Sequence, residues 1–222
     1  MALNSDISQR VVMDAAAMDW APSPCEGVSR RRLECQAGDL ERVTSIVEYA
    51  PESRYHMHGH ERGEEILVLS GVFCDEHGEY PEGSYIRNPA GFRHAPYSTK
   101  GCTIFVKLQQ VAEQDQSRVV INTKKAPWYS GMVRGLQVLP LHSFDNENVA
   151  LVRWQPGTRF SYHRHAGGEE IYVVEGVFSD EFGDYPKGTW IRSPADSAHR
   201  PYSESGCLIY VKTGHLCSVV CI

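Results

Sequence analysis

The sequence predicts an all-β protein built as two consecutive small β-barrels, and three observations carry that expectation. The chain repeats itself: residues 58–107 align with 163–212 without a gap and agree at 29 of 50 positions. Its apolar runs are short, rich in β-branched and aromatic residues, and separated by Gly, Pro and Asp clusters at intervals of about 8–12 residues, the pattern of a sandwich or barrel. No segment sustains a helical period.

The strands expected in the first copy are Val43–Tyr49, Ile66–Leu69, Ser84–Arg87 and Thr103–Lys107; in the second they are Val149–Trp154, Ile171–Val174 and Leu208–Lys212. Upstream the repeat continues with a shifted register. Arg10-Val11-Val12 answers Arg118-Val119-Val120, and Trp20 answers Trp128. Each copy thus runs to about 105–110 residues, which places one domain at residues 1–115 and a second at 116–222. The polar stretch Gln109–Ser117 reads as the linker between them.

Bulk properties exclude several roles. A net charge of −6 argues against a phosphate-tracking surface, so nucleic acid is not expected as a partner. No apolar run approaches the ~20 residues that span a bilayer, and the first residues lack the basic start and apolar core of a secretory signal, so no membrane association is expected. Seven cysteines, none in a Cys-x-x-Cys pair, fit reduced thiols in a cytoplasm. Cys102 and Cys207 recur at matched positions entering apolar runs and read as small core residues. The tail from His215 through Cys217 and Cys221 could hold metal, but frayed chain ends argue against it.

The chemistry sits in the repeat. His163-Arg164-His165 is followed by Gly167-Gly168 and Glu169, and His58-Gly59-His60 by Gly63 and Glu64, 105 positions earlier. Residues i and i+2 on a strand share a face, so each histidine pair points one way. The glycines mark a bend that returns the glutamate toward the imidazoles. His94 follows Glu64, and His199 follows Glu169, at the same distance of 30 residues. Three imidazoles and one carboxylate suit Zn(II), Fe(II), Mn(II) or Ni(II), not the all-oxygen shells of calcium and magnesium. The expected metal ligands are His58, His60, Glu64 and His94 in one copy, and His163, His165, Glu169 and His199 in the other. The cofactor is a divalent transition metal, up to two per chain. His56, His77, His142 and His215 have no matched counterparts and read as ordinary core or surface histidines.

These spacings resemble the cupins. Their first motif, a glycine, then His-x-His, Glu and a closing glycine, matches Gly157, His163, His165, Glu169 and Gly176. The first copy reads Glu52, His58, His60, Glu64 and Gly71. The second motif appears as Gly83, Pro89, Gly91, His94 and Ser98, and as Gly188, Pro194, Asp196, His199 and Ser203. Asp196 stands where the pattern has glycine, and an altered turn near His199 is expected; Glu52 in place of the opening glycine, with the crowding of His56, is expected to weaken or rearrange metal binding in the first copy. The resemblance implies two tandem RmlC-like jelly-roll barrels. The wording around GEEI, YP-x-G, I-R-x-P and PYS is more narrowly similar to the cupin domain of ChrR-type anti-sigma factors, which implies zinc on three histidines and a glutamate. The His-x3-Cys-x2-Cys grouping of that family's sigma-binding module does not occur in this sequence, so a sigma factor is not expected as a partner.

Two functions follow. One is a zinc-binding sensory or regulatory module that receives a small-molecule ligand; the other is an Fe(II) dioxygenase acting on a small diketone or aromatic ketone. Cavity walls are expected from Tyr55, Phe73, Tyr85 and Phe105, and from Phe160, Tyr172, Phe178, Trp190 and Tyr210. Arg87 and Arg192 recur in apolar strands, where they either point inward to grip a carboxylate substrate or face outward as surface charge. Exposed sheet edges allow a homodimer.

Overall fold

The computed structural model describes residues 2–36 and 42–216. These residues are almost entirely strand and turn, with a single short 3-10 turn at Ala15–Ala17. None forms a helix long and apolar enough to cross a membrane. Cys217 and Cys221 lie outside the described residues.

Contacts divide the chain into two compact units. The first holds the residues up to Ser5 with Met18–Ala126; the second holds Asp6–Ala17 with the residues from Pro127 onward. Set beside a division at 115/116, residues 116–126 fall in the first unit and 6–17 in the second.

In the first unit the main sheet runs in the order Val119–Asn122, Ser84–Asn88, Glu64–Asp75, Cys102–Leu108, Val43–Tyr49, Val28–Cys35 and Ala21–Pro22. All of these pairings are antiparallel. A separate ribbon pairs His58–His60 with Phe92–His94. The second unit repeats the plan with Val11–Asp14, Thr189–Ser193, Glu169–Asp180, Cys207–Thr213, Glu147–Trp154, Leu136–Phe144 and Tyr129–Ser130. Its ribbon pairs His163–His165 with Ser197–His199. These are jelly-roll barrels. The strand leading each repeat is paired in the other repeat's barrel: Val11–Asp14 lies on Thr189–Ser193, and Val119–Asn122 lies on Ser84–Asn88.

Each barrel is closed by a 12-residue strand that bends from one sheet into the other, Glu64–Asp75 or Glu169–Asp180. Gly71 and Gly176 make the bend. Both have φ near +72°, and a Cβ on either would lie 2.1 Å from the carbonyl oxygen of Gly101 or Gly206. No side chain fits there.

Strand alternation sorts the residues. Ile66, Val68, Phe73, Ile86, Ile104 and Val106 form the first barrel's interior, and Ile171, Val173, Phe178, Ile191 and Ile209 the second's. The residues between them, among them Leu67, Tyr85, Phe105, Arg87 and Lys107, face the opposite side yet are also buried.

That opposite face resolves two expectations differently. Arg87 neither faces solvent nor points into the barrel. It is fully buried, with its guanidinium 2.6 Å from Asp115 and 3.5 Å from Glu65. Arg192 is likewise buried and donates to the carbonyl of Asp6 at 2.7 Å. Asp115 belongs to the stretch read as a linker, and it is anchored rather than free: Val111 is also fully buried, packed where a Cβ on Gly63 would meet it at 2.7 Å.

Candidate metal centres

The His-x-His ribbons place the imidazoles. In the first unit His58 pairs with His94 across the ribbon, so both imidazoles can approach His60, two residues along from His58. His60 Nε2 lies 3.1 Å from His94 Nε2. The tight turn at Gly63 then starts the Glu64 strand. The Glu64 carboxylate sits 3.2 Å from His94 Nε2 and 3.4 Å from His60 Nε2. In the second unit the corresponding distances are 3.2 Å for His165 to His199, and 3.5 Å from Glu169 to each. The donor nitrogens of each histidine trio lie within 4.8 Å of one another. Four donors around a tetrahedral ion with bonds of about 2.0–2.1 Å stand ~3.3 Å apart. Two histidines and the glutamate of each centre therefore already stand near that spacing, with His58 or His163 within 4.8 Å of the other imidazoles.

Hydrogen bonds set the tautomers. The His58 Nδ1–H donates to the carbonyl of His56 at 2.8 Å, and that of His163 to Ser161 at 2.9 Å. His94 Nδ1 faces Asp75 at 3.5 Å, and His199 Nδ1 faces Asp180 at 3.4 Å. Each of these bonds leaves Nε2 with its lone pair toward the centre, the arrangement metal-binding histidines adopt. His56 itself is exposed and contributes only its backbone.

Electrostatics favours the neutral imidazole at two of the three histidines in each centre and the protonated form at the third. Burial pushes His60 and His165 down to about 4 and also lowers His58 and His163. At His94 and His199 burial acts the same way, but the Asp75 or Asp180 hydrogen bond and the nearby carboxylates outweigh it, so both are raised. Burial pushes Glu169 up to about 7.

The supporting layer was not read from the sequence. Asp75 accepts from Tyr80 at 3.1 Å, and Arg118 donates to Tyr80 at 2.9 Å and to Asn88 at 3.0 Å; Asn88 in turn donates to Glu64 at 2.8 Å. In the second unit Tyr185 donates to Asp180 at 2.7 Å, and Arg10 reaches Tyr185 at 2.7 Å and Asp180 at 3.5 Å. Ser193 replaces Asn88, so Glu169 has no amide partner of that kind. The signal was present: the Asp, Tyr and Arg of this layer all recur in the repeat.

The two substituted glycines do not alter their turns. Asp196 has φ +67° where Gly91 has +80°, and the backbone N–H of each donates to His165 or His60 at 2.8 Å. Glu52 has φ +62° where Gly157 has +77°. Neighbouring hydrogen bonds hold both in left-handed backbone.

Each centre faces a cavity inside its own barrel. The first measures about 250 Å³ and includes Tyr49, Tyr55, Phe73, Arg30 and Ser45 with the three histidines and Glu64. The second is about 180 Å³ and is lined by Trp154, Phe160, Phe178, Val138 and Met132 beside His163, Glu169 and His199. Of the aromatic residues expected as walls, Tyr55, Phe73, Phe160 and Phe178 line the cavities. Tyr85, Phe105, Tyr172, Trp190 and Tyr210 do not, because alternation turns them to the opposite face. Tyr85 instead donates to Glu65, and Trp190 to Glu170, both at 2.7 Å. His215 also goes to Glu170, at 3.1 Å, away from either centre.

Tandem jelly-roll barrels, each with a His-x-His ribbon and a returning glutamate, define a two-domain cupin. The chain belongs to the ChrR cupin-like domain family, whose model matches residues 8–112 and again 116–217. It is similar in structure to a protein from Nostoc punctiforme described as a "putative dioxygenase", with TM-score 0.78, 19% identity, and coverage of 96% of this chain and 85% of that one. Protein Ylba from Escherichia coli superposes with TM-score 0.72 at 17% identity, covering 99% and 96%. A mutant of Bacillus subtilis oxalate decarboxylase does so with TM-score 0.64 at 12% identity, covering 94% and 78%. No protein of curated function matches the chain in sequence.

Proposed function

We propose that each barrel binds one divalent transition metal, through His58, His60, Glu64 and His94 in the first unit and His163, His165, Glu169 and His199 in the second. Zinc is the favoured ion, and the protein acts as a regulatory binding module that takes a small molecule into the cavity beside the metal. The observation that carries this reading is the convergence of imidazole nitrogens and a carboxylate, 3.1–3.5 Å apart, on the wall of an interior cavity. Three histidines and one glutamate complete a four-coordinate zinc shell, and such a site contributes to folding without chemistry. A metal bound there would supply a fixed positive charge at the cavity wall. The chain's own residues do the rest: Asp75 and Asp180 fix the tautomers of His94 and His199, and the apolar walls exclude water. Metal analysis of protein purified without added metal should give two equivalents, chiefly zinc. Fewer than one equivalent would overturn the assignment.

A second reading, an Fe(II) dioxygenase, is favoured by the cavities themselves, since a site that only braces the fold needs no adjoining space. Four ligands leave about two octahedral positions for substrate and dioxygen. The test is oxygen uptake by anaerobically iron-loaded protein with a panel of diketones and hydroxylated aromatic ketones. Turnover that disappears in His163→Ala and Glu169→Ala would replace the binding-module reading.

A further inference from the structure

The two cavities differ in polar lining, although the metal-facing residues match. Arg30 and Ser45 line the first cavity. Ser45 is 2% exposed and its Oγ has no hydrogen-bond partner; the buried Nε of Arg30 also has none, while one terminal nitrogen of that guanidinium donates to Ser23 at 2.6 Å. Strand register identifies their counterparts. Arg30 lies opposite Val47 as Val138 lies opposite Val152, and Ser45 lies opposite Val106 as Ala150 lies opposite Val211. The second cavity therefore has no cation of its own, and its one unpartnered buried donor is the Trp154 indole nitrogen.

An unpaired guanidinium N–H and an unpaired hydroxyl inside an otherwise apolar barrel leave hydrogen-bonding capacity unused, which destabilises the empty cavity. A ligand able to satisfy both groups recovers that loss. Resting on the metal centre proposed above, a divalent ion with Glu64 leaves one net positive charge, and Arg30 adds a second. The remaining walls, Val28, Val47, Ile66, Phe73 and Ile104, are hydrocarbon or aromatic. A carboxylate accepts from a guanidinium at short, charge-assisted distances, and an apolar body suits the walls. We infer that the first barrel is a receptor for a small monocarboxylate with an apolar body, held by Arg30 and Ser45, whereas the matching cavity of the second barrel offers no such pair of donors.

Butyrate, its neutral analogue butyramide, and inorganic phosphate serve as probes, titrated calorimetrically into metal-loaded protein whose metal content is measured on the same samples. Butyrate should bind one site per chain at least about 10-fold more tightly than butyramide, and Arg30→Leu should erase that preference while two metals remain bound. Ser45→Ala should weaken butyrate several-fold. If Arg30→Leu does not fold, Arg30→Gln and Ser45→Ala decide the matter. Two bound metals with no butyrate preference, or with a preference insensitive to these substitutions, would overturn the inference and leave the metal assignment standing. Phosphate binding more tightly than butyrate would overturn the carboxylate class. Absence of metal would instead overturn the reading on which it rests.

Discussion

Glu52 and Asp196 occupy left-handed backbone at φ +62° and +67°, a region that costs a residue with a Cβ about 1–2 kcal/mol. Asp tolerates it better than Glu, so Glu52→Gly should raise stability by about 0.5–1 kcal/mol, and Asp196→Gly by less, in denaturant melts. Protonation is the other residue-scale lever. His60 and His165 are held near 4 when folded and titrate near 6.5 when unfolded. Between those values the unfolded chain binds more protons, so these two groups make metal-free protein lose stability as pH falls from 6.5 toward 4. Glu169 acts in the opposite sense. It is raised to about 7 from 4.5, so the folded chain holds an extra proton, and its contribution is lost as pH rises through 7. His94 and His199 are raised in both units, so they too favour the folded chain as pH falls. Glu169→Gln should therefore steepen the loss of stability on acidification, as measured by melts of chelated protein from pH 7 to 4.5; a shallower profile would contradict the sign. His199→Ala should remove one equivalent of metal and leave the other, as read by elemental analysis.

At the scale of elements, the strand carrying each arginine is the informative one. Arg10 and Arg118 enter as the residue before a short edge strand and reach the Asp–Tyr pair behind the third histidine. Removing such support typically weakens metal binding by about 10–100-fold. Arg10→Met, which removes the guanidinium that also lies 5.1 Å over the Phe182 ring, should lower zinc affinity at one site by about 10-fold in chelator competition without changing stoichiometry. Strands were legible where apolar residues alternate uninterrupted, and Val43–Tyr49 has the bounds the sequence suggests. Val28–Cys35 was not, because Arg30, Arg31 and Arg32 interrupt its apolar pattern. The arginine that lines the first cavity is one of the three that hid its strand. The four matched histidine and glutamate positions of each centre could be read from the repeat alone. Their supporting aspartates and tyrosines recur as well, but only the bend at Gly71 and Gly176 places them beside the ribbons. The partner of Arg87 escaped a sequence reading for a related reason: Asp115 lies in a stretch whose polarity looks like a linker.

At the scale of the whole chain, the repeat and the compact units divide the N-terminus differently, and a single truncation separates the two descriptions. Beginning the chain at Met18 removes the strand Val11–Asp14 and Arg10. By sequence order these belong to the first domain, but by pairing they lie on Thr189–Ser193 in the second unit. From the first unit the truncation takes the Leu3–Cys35 bridge and the Asn4 hydrogen bond to Leu33. From the second it takes a whole edge strand and the arginine bonded to Tyr185. That exposes the unpaired backbone of Thr189–Ser193, an edge prone to association. Carried out in a His94→Ala background, where metal reports the second centre, the truncation should weaken zinc binding by about 10-fold or more and promote self-association. In a His199→Ala background, where metal reports the first centre, binding should stay within a few-fold of the full chain. The reverse result, with the first centre lost and the second spared, would show that Val11–Asp14 serves the barrel of its own repeat.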